Sequence, residues 1–374
     1  MRGIARVSVA GAIALAALAS AVGAAPALAT PTSRAVFVQT DNVNGNQIVV
    51  YDRGPGGALT QSGVYDTGGL GGQLEGSVVD HLASQGSLAY DAANGLLYAV
   101  NAGSDTISVF AVFGDKLALR QVIGSGGSFP VSIAVRGDLV YVLNALEGGS
   151  VQGFTVHAGR LASLPKSNRP LGLNPTEGPQ FTHTPGQVVF APGGAQLIVS
   201  TKDNGNDVDV FAVKPSGLLS AAPVVNPLPG TVPFAITFDA QGHLILSESA
   251  GFLADFQLEE DGKIEQLDVV PSEQLATCWV VADDGHFYTS NPGSASLSDF
   301  VQGAGGQLLT LQEDVPTNGG TVDATVTPGG EFLYVQTGAE GVLDEFAVGS
   351  RGELSKVGSV LVPEAIGGEG IVAG

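Results

Sequence analysis

Three side chains in this sequence have the chemistry to move a proton at a shared site: His81, His183 and Glu248. His81 and His183 fall in the two longest stretches without strand character, residues 63–86 and 166–186. Glu248 ends an apolar segment whose counterparts elsewhere end in Asn or Thr: Asn101, Asn144, Thr201, Asn291 and Thr337. A histidine close to a carboxylate can take a proton from water, so His183 and Glu248 are the candidate catalytic groups. Around them, His81, Asn101, Asn144, Gln187, Lys202, Asn291 and Asp323 are expected to bind a ligand, with the competing reading that such polar residues cap strands and hold turns. Cys278 reads as a small buried residue rather than a nucleophile, because nothing in the sequence marks a stabilised thiolate. The run Asp203-Asn204-Gly205-Asn206-Asp207 has calcium-type ligands, but Asn-Gly is first a hairpin signal. No metal and no cofactor is expected.

These residues acquire a common location only through the elements that carry them. One three-part phrase recurs seven times. It opens at Phe37, Tyr98, Tyr141, Ile198, Ile245, Tyr288 and Tyr334. It continues 11 to 14 residues later at Tyr51, Phe110, Phe154, Phe211, Phe256, Phe300 and Phe346. It closes on Leu59, Leu117, Leu161, Leu219, Ile264, Leu308 and Leu354. Short apolar runs such as Gln187–Phe190 and Phe234–Phe238 precede most copies and are joined to them by Gly-containing turns, which supply the positive φ of tight hairpins. Four strands per repeat, at about 49 residues each, describe propeller blades. The fold class is therefore all-β: a seven-bladed propeller of four-stranded blades, labelled A to D from the axis outward. The first copy lacks a strand A and the tail 368–374 supplies one, so the C-terminal strand is expected to close the ring in the N-terminal blade.

Strand order then sorts the polar residues. Connections D-to-A and turns B-to-C share one mouth; turns A-to-B and C-to-D share the other. His81 and His183 belong to the first mouth, with the ends of the B strands. His157, His243 and His286 belong to the second, where they read as solvated turn residues.

The totals narrow the function classes. Arg2 and Arg6, an apolar run over 7–22 and Ala27-Leu28-Ala29 form a cleavable secretory leader, residues 1–29, which predicts an exported chain. The 374 residues carry 15 basic and 36 acidic side chains. Losing a leader with two Arg leaves 13 against 36, or −23. A surface this acidic repels nucleic acid. Cys278 is the only cysteine, so no internal disulfide forms and a large core must hold the chain. No later stretch spans a membrane by hydropathy. Residues 30–374 read as one domain, expected to act as a monomer.

The phrases Leu97-Tyr98-Ala99-Val100-Asn101, Ile107-Ser108-Val109-Phe110, Val140-Tyr141-Val142-Leu143-Asn144 and Val208-Asp209-Val210-Phe211 resemble those of the lactonase-type seven-bladed propellers. That family includes bacterial 6-phosphogluconolactonases and fungal carboxymuconate cyclases. The resemblance implies a lactone hydrolase or cyclase-like enzyme working at the channel mouth. It also implies His and Arg-His elements at the starts of the third and fourth A strands, where this chain has Val131, Gly186 and Gln187. Arg169 and Lys202 are the basic candidates at that face. Two functions stay open: ring-opening of a lactone, with water activated by His183 or Glu248, and non-catalytic binding of a carbohydrate, peptide or cell-wall ligand.

Overall fold

In the computed structural model the described residues are Met1, Gly3, 34–303 and 307–374. The expected leader, 1–29, lies almost wholly outside them, as does the side chain of Leu308. Residues from Ser33 to Gly374 form one compact unit. Among the described residues no helix is long and apolar enough to cross a membrane.

Seven antiparallel sheets follow one another in A-B-C-D order. Blade 1 takes its strand A from the C-terminus: Ile371–Ala373 pairs with Ala35–Gln39, with Val372 opposite Phe37. The ring closes as the sequence predicts. Blade 3 departs from the pattern, since two short strands, Arg160–Ser163 and Arg169–Pro170, both pair with its strand C.

The repeated residues hold neighbouring blades together. In three blades the strand-B tyrosine reaches the C-to-D turn of the next blade. Tyr141 donates to the Gly217 carbonyl at 2.7 Å, Tyr288 to Gly352 at 2.8 Å, and Tyr334 to Gly57 at 2.7 Å across the closing seam. In five blades an aliphatic residue at the start of strand D is fixed from the preceding blade through its backbone N–H. Gln121 accepts from Leu161, Asn226 from Ile264, Asp268 from Leu309, Glu313 from Leu354 and Glu345 from Leu59. Between the sheets the aromatics Tyr51, Tyr98, Tyr141, Tyr288, Tyr334, Phe37, Phe110, Phe154, Phe211 and Phe256 are fully buried. Runs apolar on both faces make sense here, because each blade packs against two neighbours.

The long connection between blades 1 and 2 decides what the first mouth looks like. Strand D of blade 1 extends to Asp66, so the connection starts later than the sequence pattern suggests. It then crosses the ring. His81 N–H donates to Gly367 on the blade 1 tail. Gln85 pairs with strand A of blade 6 through both amide atoms, donating to the Val280 carbonyl and accepting from the Val280 N–H at 3.0 Å each. Trp279 donates its indole N–H to the Ser84 carbonyl at 2.6 Å. Residues 83–86 therefore fill the axis of the propeller at this face.

Candidate functional site

The filled axis displaces the open space sideways. A cavity of about 460 Å³ lies between the crossing loop and blades 4 to 6. Val78, Val79, Asp80 and Ala83 form one wall, and Phe181 and Thr182 from the second long connection cover part of it. The blades contribute Lys202, Asp203, Val232, Phe234, Ser249, Ala276 and Cys278, with Pro292 and Gly293 at the edge. The two long connections are tied to each other, with the Glu75 N–H donating to Gln180 Oε1 at 2.9 Å and the Phe181 N–H to the Glu75 carbonyl at 3.2 Å. Every lining residue comes from a D-to-A connection, a B-to-C turn or a strand end at this mouth, as the topology requires.

Lys202 is the cation of this cavity. Its side chain is 1 % exposed, its ammonium donates to the Ala83 carbonyl at 2.6 Å, and it stands 5.5 Å from the centre of the Phe234 ring. Burial lowers its pKa, while Asp80, Glu369 and the Cys278 thiol act in the other direction. Burial likewise lifts the Asp80 carboxyl above its ordinary range, against the pull of Lys202. Behind this pair, acids are buried toward the closing seam. Glu369 is raised well above its ordinary value by burial and by Asp80, Asp41 and Asp323. Asp41 and Asp323 are each pushed up to about 7 by burial.

The residues singled out from sequence are dispersed rather than gathered. Lys202 lines the cavity. His183 ends a short helix, Gln180–His183, and its ring faces a neighbouring cleft with Glu147, Asn174 and Asn204. Its Nδ1 lies 3.0 Å from the Pro179 carbonyl and its Nε2 lies 3.5 Å from Asp203 Oδ2, so it touches the cavity through Asp203. Glu248 is buried one residue behind the lining Ser249, hydrogen-bonded to Thr231, and burial raises it to about 7. His81 packs against Gly367, its Nδ1 3.4 Å from the Asp41 carbonyl, and burial lowers its pKa.

Two of the three strand-B amides are held by hydrogen bonds within the protein, and the Asn144 amide is buried without a partner. Asn101 is fully buried: its Nδ2 donates to Thr106 and Ser108 hydroxyls, and its Oδ1 accepts from Asn46 at 3.1 Å. Asn291 repeats this in blade 6 with Ser296, Ser298 and Thr277. Both side-chain amides are taken up by these partners, on strand C and in the loops beside it. Asn144 is also fully buried on blade 3, away from the cavity. Gln187 Oε1 accepts from the Ile236 N–H at 2.5 Å and ties blade 4 to blade 5. Asp323 accepts from the Ala324 N–H at 3.0 Å beside the seam. The Arg169 guanidinium is occupied by four carbonyls, of Lys166, Asn168, Leu219 and Ser220. Cys278 is buried 3.3 Å from the Ser249 hydroxyl, and its thiol is pushed up to about 12, which makes it a poor nucleophile. The Asp203–Asp207 segment is a B-to-C turn in which Asn206 donates to Asp203 Oδ1 at 3.0 Å.

At the second mouth, His157 is exposed as expected, but His243 and His286 are not free turn residues. His286 Nδ1 is 3.0 Å from Asp299 Oδ1 and its ring stacks on Tyr288. His243 lies 3.0 Å from Asp239 Oδ2. Their strands place a buried acid beside each ring, which a turn-by-turn reading misses.

The cavity also uses residues that the sequence does not single out for it: Asp80, Phe181 and Phe234, with Asp203 standing out only as part of a turn. Asp80 has one local signal, its place beside His81 in the longer irregular stretch. The others depend on how the two connections fold over the blades.

Comparison with known proteins fits this architecture. Solved structures with the same fold include a periplasmic gluconolactonase of Pseudomonas aeruginosa, 20% identical, matching 90% of this chain and 98% of that one with a TM-score of 0.69. A protein of Lactobacillus plantarum is 21% identical over 89% of this chain and 98% of its own, with a TM-score of 0.72. A Bacteroides uniformis protein assigned as a 6-phosphogluconolactonase is 18% identical over 90% and 98%, with a TM-score of 0.72. No match is found among curated proteins. The profile of the lactonase family described as a seven-bladed β-propeller matches residues 48–367, most of the propeller, and this chain belongs to that family.

Proposed function

We propose that this protein hydrolyses a lactone in the cavity over blades 4 to 6. The observation that carries the reading is the placement of Lys202 and Asp80 together in a cavity whose other walls are mainly apolar. Family membership supports a lactone as substrate. A single lysine among Val78, Val79, Phe181, Val232 and Phe234 suits a weakly polar cyclic ester better than a phosphorylated sugar acid.

In this reading the Lys202 ammonium faces the lactone carbonyl oxygen and stabilises the negative charge that develops on it. Asp80 takes the proton of the attacking water, its raised pKa bringing it closer to the working pH. The water oxygen bonds to the carbonyl carbon, the acyl carbon–ring oxygen bond breaks, and the ring oxygen leaves with the proton held by Asp80. One water is consumed and one hydroxy acid is released. His183 acts through Asp203 at the rim, and Glu248 supports the Ser249 wall. We also propose export of the chain, from the basic and apolar leader over 1–29 and from the periplasmic location named for the Pseudomonas relative.

The test is acid release at constant pH from a panel of sugar, phosphosugar, aliphatic and aromatic-derived lactones. Turnover that vanishes in Lys202→Met and Asp80→Asn, and falls partly in His183→Ala, supports the reading. No turnover on any lactone removes it and leaves a binding propeller.

A further inference from the structure

The opposite mouth carries a second cluster that the proposed reaction does not use. In blade 5 the A-to-B turn brings Asp239 and His243 beside Asp255 of strand C, and one donor atom from each lies within 4.8 Å of the other two. His243 Nδ1 is 3.0 Å from Asp239 Oδ2 and 3.7 Å from Asp255 Oδ1. The Asp239 and Asp255 side chains are 1 % and 2 % exposed, while His243 is 17 % exposed, so the cluster is buried with a narrow opening to solvent.

The protein satisfies both Asp239 oxygens and one Asp255 oxygen and leaves two atoms of the cluster alone. Asp239 Oδ1 accepts the N–H groups of Gln241 and His243 at 2.9 and 2.7 Å. Gln302 crosses from blade 6 and donates to Asp239 Oδ2 at 2.9 Å and to Asp255 Oδ2 at 3.3 Å. Asp255 Oδ1 and His243 Nδ1 are buried and have no hydrogen-bond partner, although His243 lies so close to Asp239. An imidazole held by ion pairing alone would aim an N–H along one of these contacts. Buried polar atoms without partners are costly, and they converge here on one point.

We propose that Asp239, His243 and Asp255 bind one divalent transition-metal ion of the zinc type. At metal–ligand bonds of about 2.1 Å, separations like those around His243 subtend roughly 90 to 125° at the ion, within the range of four- to six-coordinate sites. An imidazole donor favours zinc, cobalt or nickel over calcium and magnesium, which take oxygen ligands. Water from the open side completes the coordination. Gln302 is the outer donor that orients both carboxylates, and through it the ion would tie blade 5 to blade 6. The inference is independent of the lactone reading, being carried by a different face of the propeller.

Titration of the metal-stripped protein with Co²⁺ tests it, read by the visible absorption of the bound ion and by the shift in melting temperature, with Zn²⁺ as competitor. The expected result is one Co²⁺ per chain, displaced by Zn²⁺, with a rise in melting temperature reversed by chelator. His243→Ala and the nearly isosteric Asp255→Asn should abolish binding, Gln302→Ala should weaken it about 10- to 100-fold, and His286→Ala should leave it intact. Circular dichroism checks that each variant folds. Absence of binding by the unsubstituted chain, or undiminished binding by His243→Ala, overturns the proposal.

Discussion

The two sides of the first mouth are built from the same repeat and end up in different conditions. Over blades 1, 2 and 7 the crossing loop covers the strand ends, and the polar residues there are sealed against protein. Asn101 sits under this cover with every side-chain partner supplied from within. Over blades 4 to 6 the loop forms one wall, through Val78, Val79, Asp80 and Ala83, and the strand ends and turns carrying Lys202, Asp203 and Ser249 border an open cavity. Register in the blade is shared; exposure is not. A residue's place in the repeat therefore says which mouth it faces, while the loop decides whether it meets a ligand or a wall.

The sharpest way to break this comparison is to remove one residue from each side. Lys202→Met should lower lactone turnover about 100- to 1,000-fold, the usual loss when a donor to a developing oxyanion is removed. It should also lower stability, because the buried Asp80 carboxyl and the Ala83 carbonyl lose their cation, so turnover is compared per folded molecule. Asn101→Ala should leave turnover per folded molecule unchanged and cost only stability, about 1–3 kcal/mol, because Asn46, Thr106 and Ser108 lose their partner. Steady-state kinetics and urea unfolding on both variants decide it. Equal turnover in the two would move the site out of this cavity.

The covered side also has an electrostatic signature. Asp41 and Asp323 are raised to about 7 by burial, so the folded chain holds protons that the unfolded chain has released. Between about pH 4 and pH 7 the folded state binds more protons, and stability falls as pH rises. Each acid contributes at most about 4 kcal/mol to that fall, since every tenfold gain in proton affinity is worth about 1.4 kcal/mol. Lys202 has the opposite sign: its lowered pKa means that stability recovers toward higher pH, below the ordinary lysine value. Unfolding free energies from pH 4 to 10 should pass through a minimum near neutrality. Asp323→Asn, which cannot ionise, should flatten the acid limb; an unchanged slope would mean that Asp323 ionises freely in the folded protein.

How much of this was legible in the sequence follows from the range of the forces involved. Strands and turns are local, so alternating apolar runs, Gly turns and the missing first strand A specified seven blades and their closure. Sorting residues by mouth needed only strand order, and the cavity residues obey it. The course of residues 67–87 could not be read, because it is fixed by partners far along the chain: Ser84 to Trp279, Gln85 to Val280, His81 to Gly367. Hence Asn101 and Asn291, conspicuous in the repeat, proved to be turn supports, and Asp203 went unnoticed as a rim acid. His243 shows the same limit at the other mouth. Its spacing from Asp239 is visible in the chain, but Asp255 and Gln302 join it only through strand C and the next blade.

The repeat itself offers the finest comparison, between two tyrosines at one register. Tyr334 donates to the Gly57 carbonyl and so spans the seam where the ring closes. Tyr98, equally buried, has a hydroxyl with no partner. Both hydroxyls are dehydrated, and burial raises both pKa values. Only Tyr334 recovers a hydrogen bond for that cost. Tyr334→Phe should therefore lower stability by about 1 kcal/mol, and Tyr98→Phe should change it by less than about 0.5 kcal/mol or raise it slightly. The urea midpoints of the two variants, taken at equal slope, measure the difference. A matching loss in Tyr98→Phe would show that its hydroxyl is bonded in solution, and that all four junctions with a tyrosine at this register are latched in the same way.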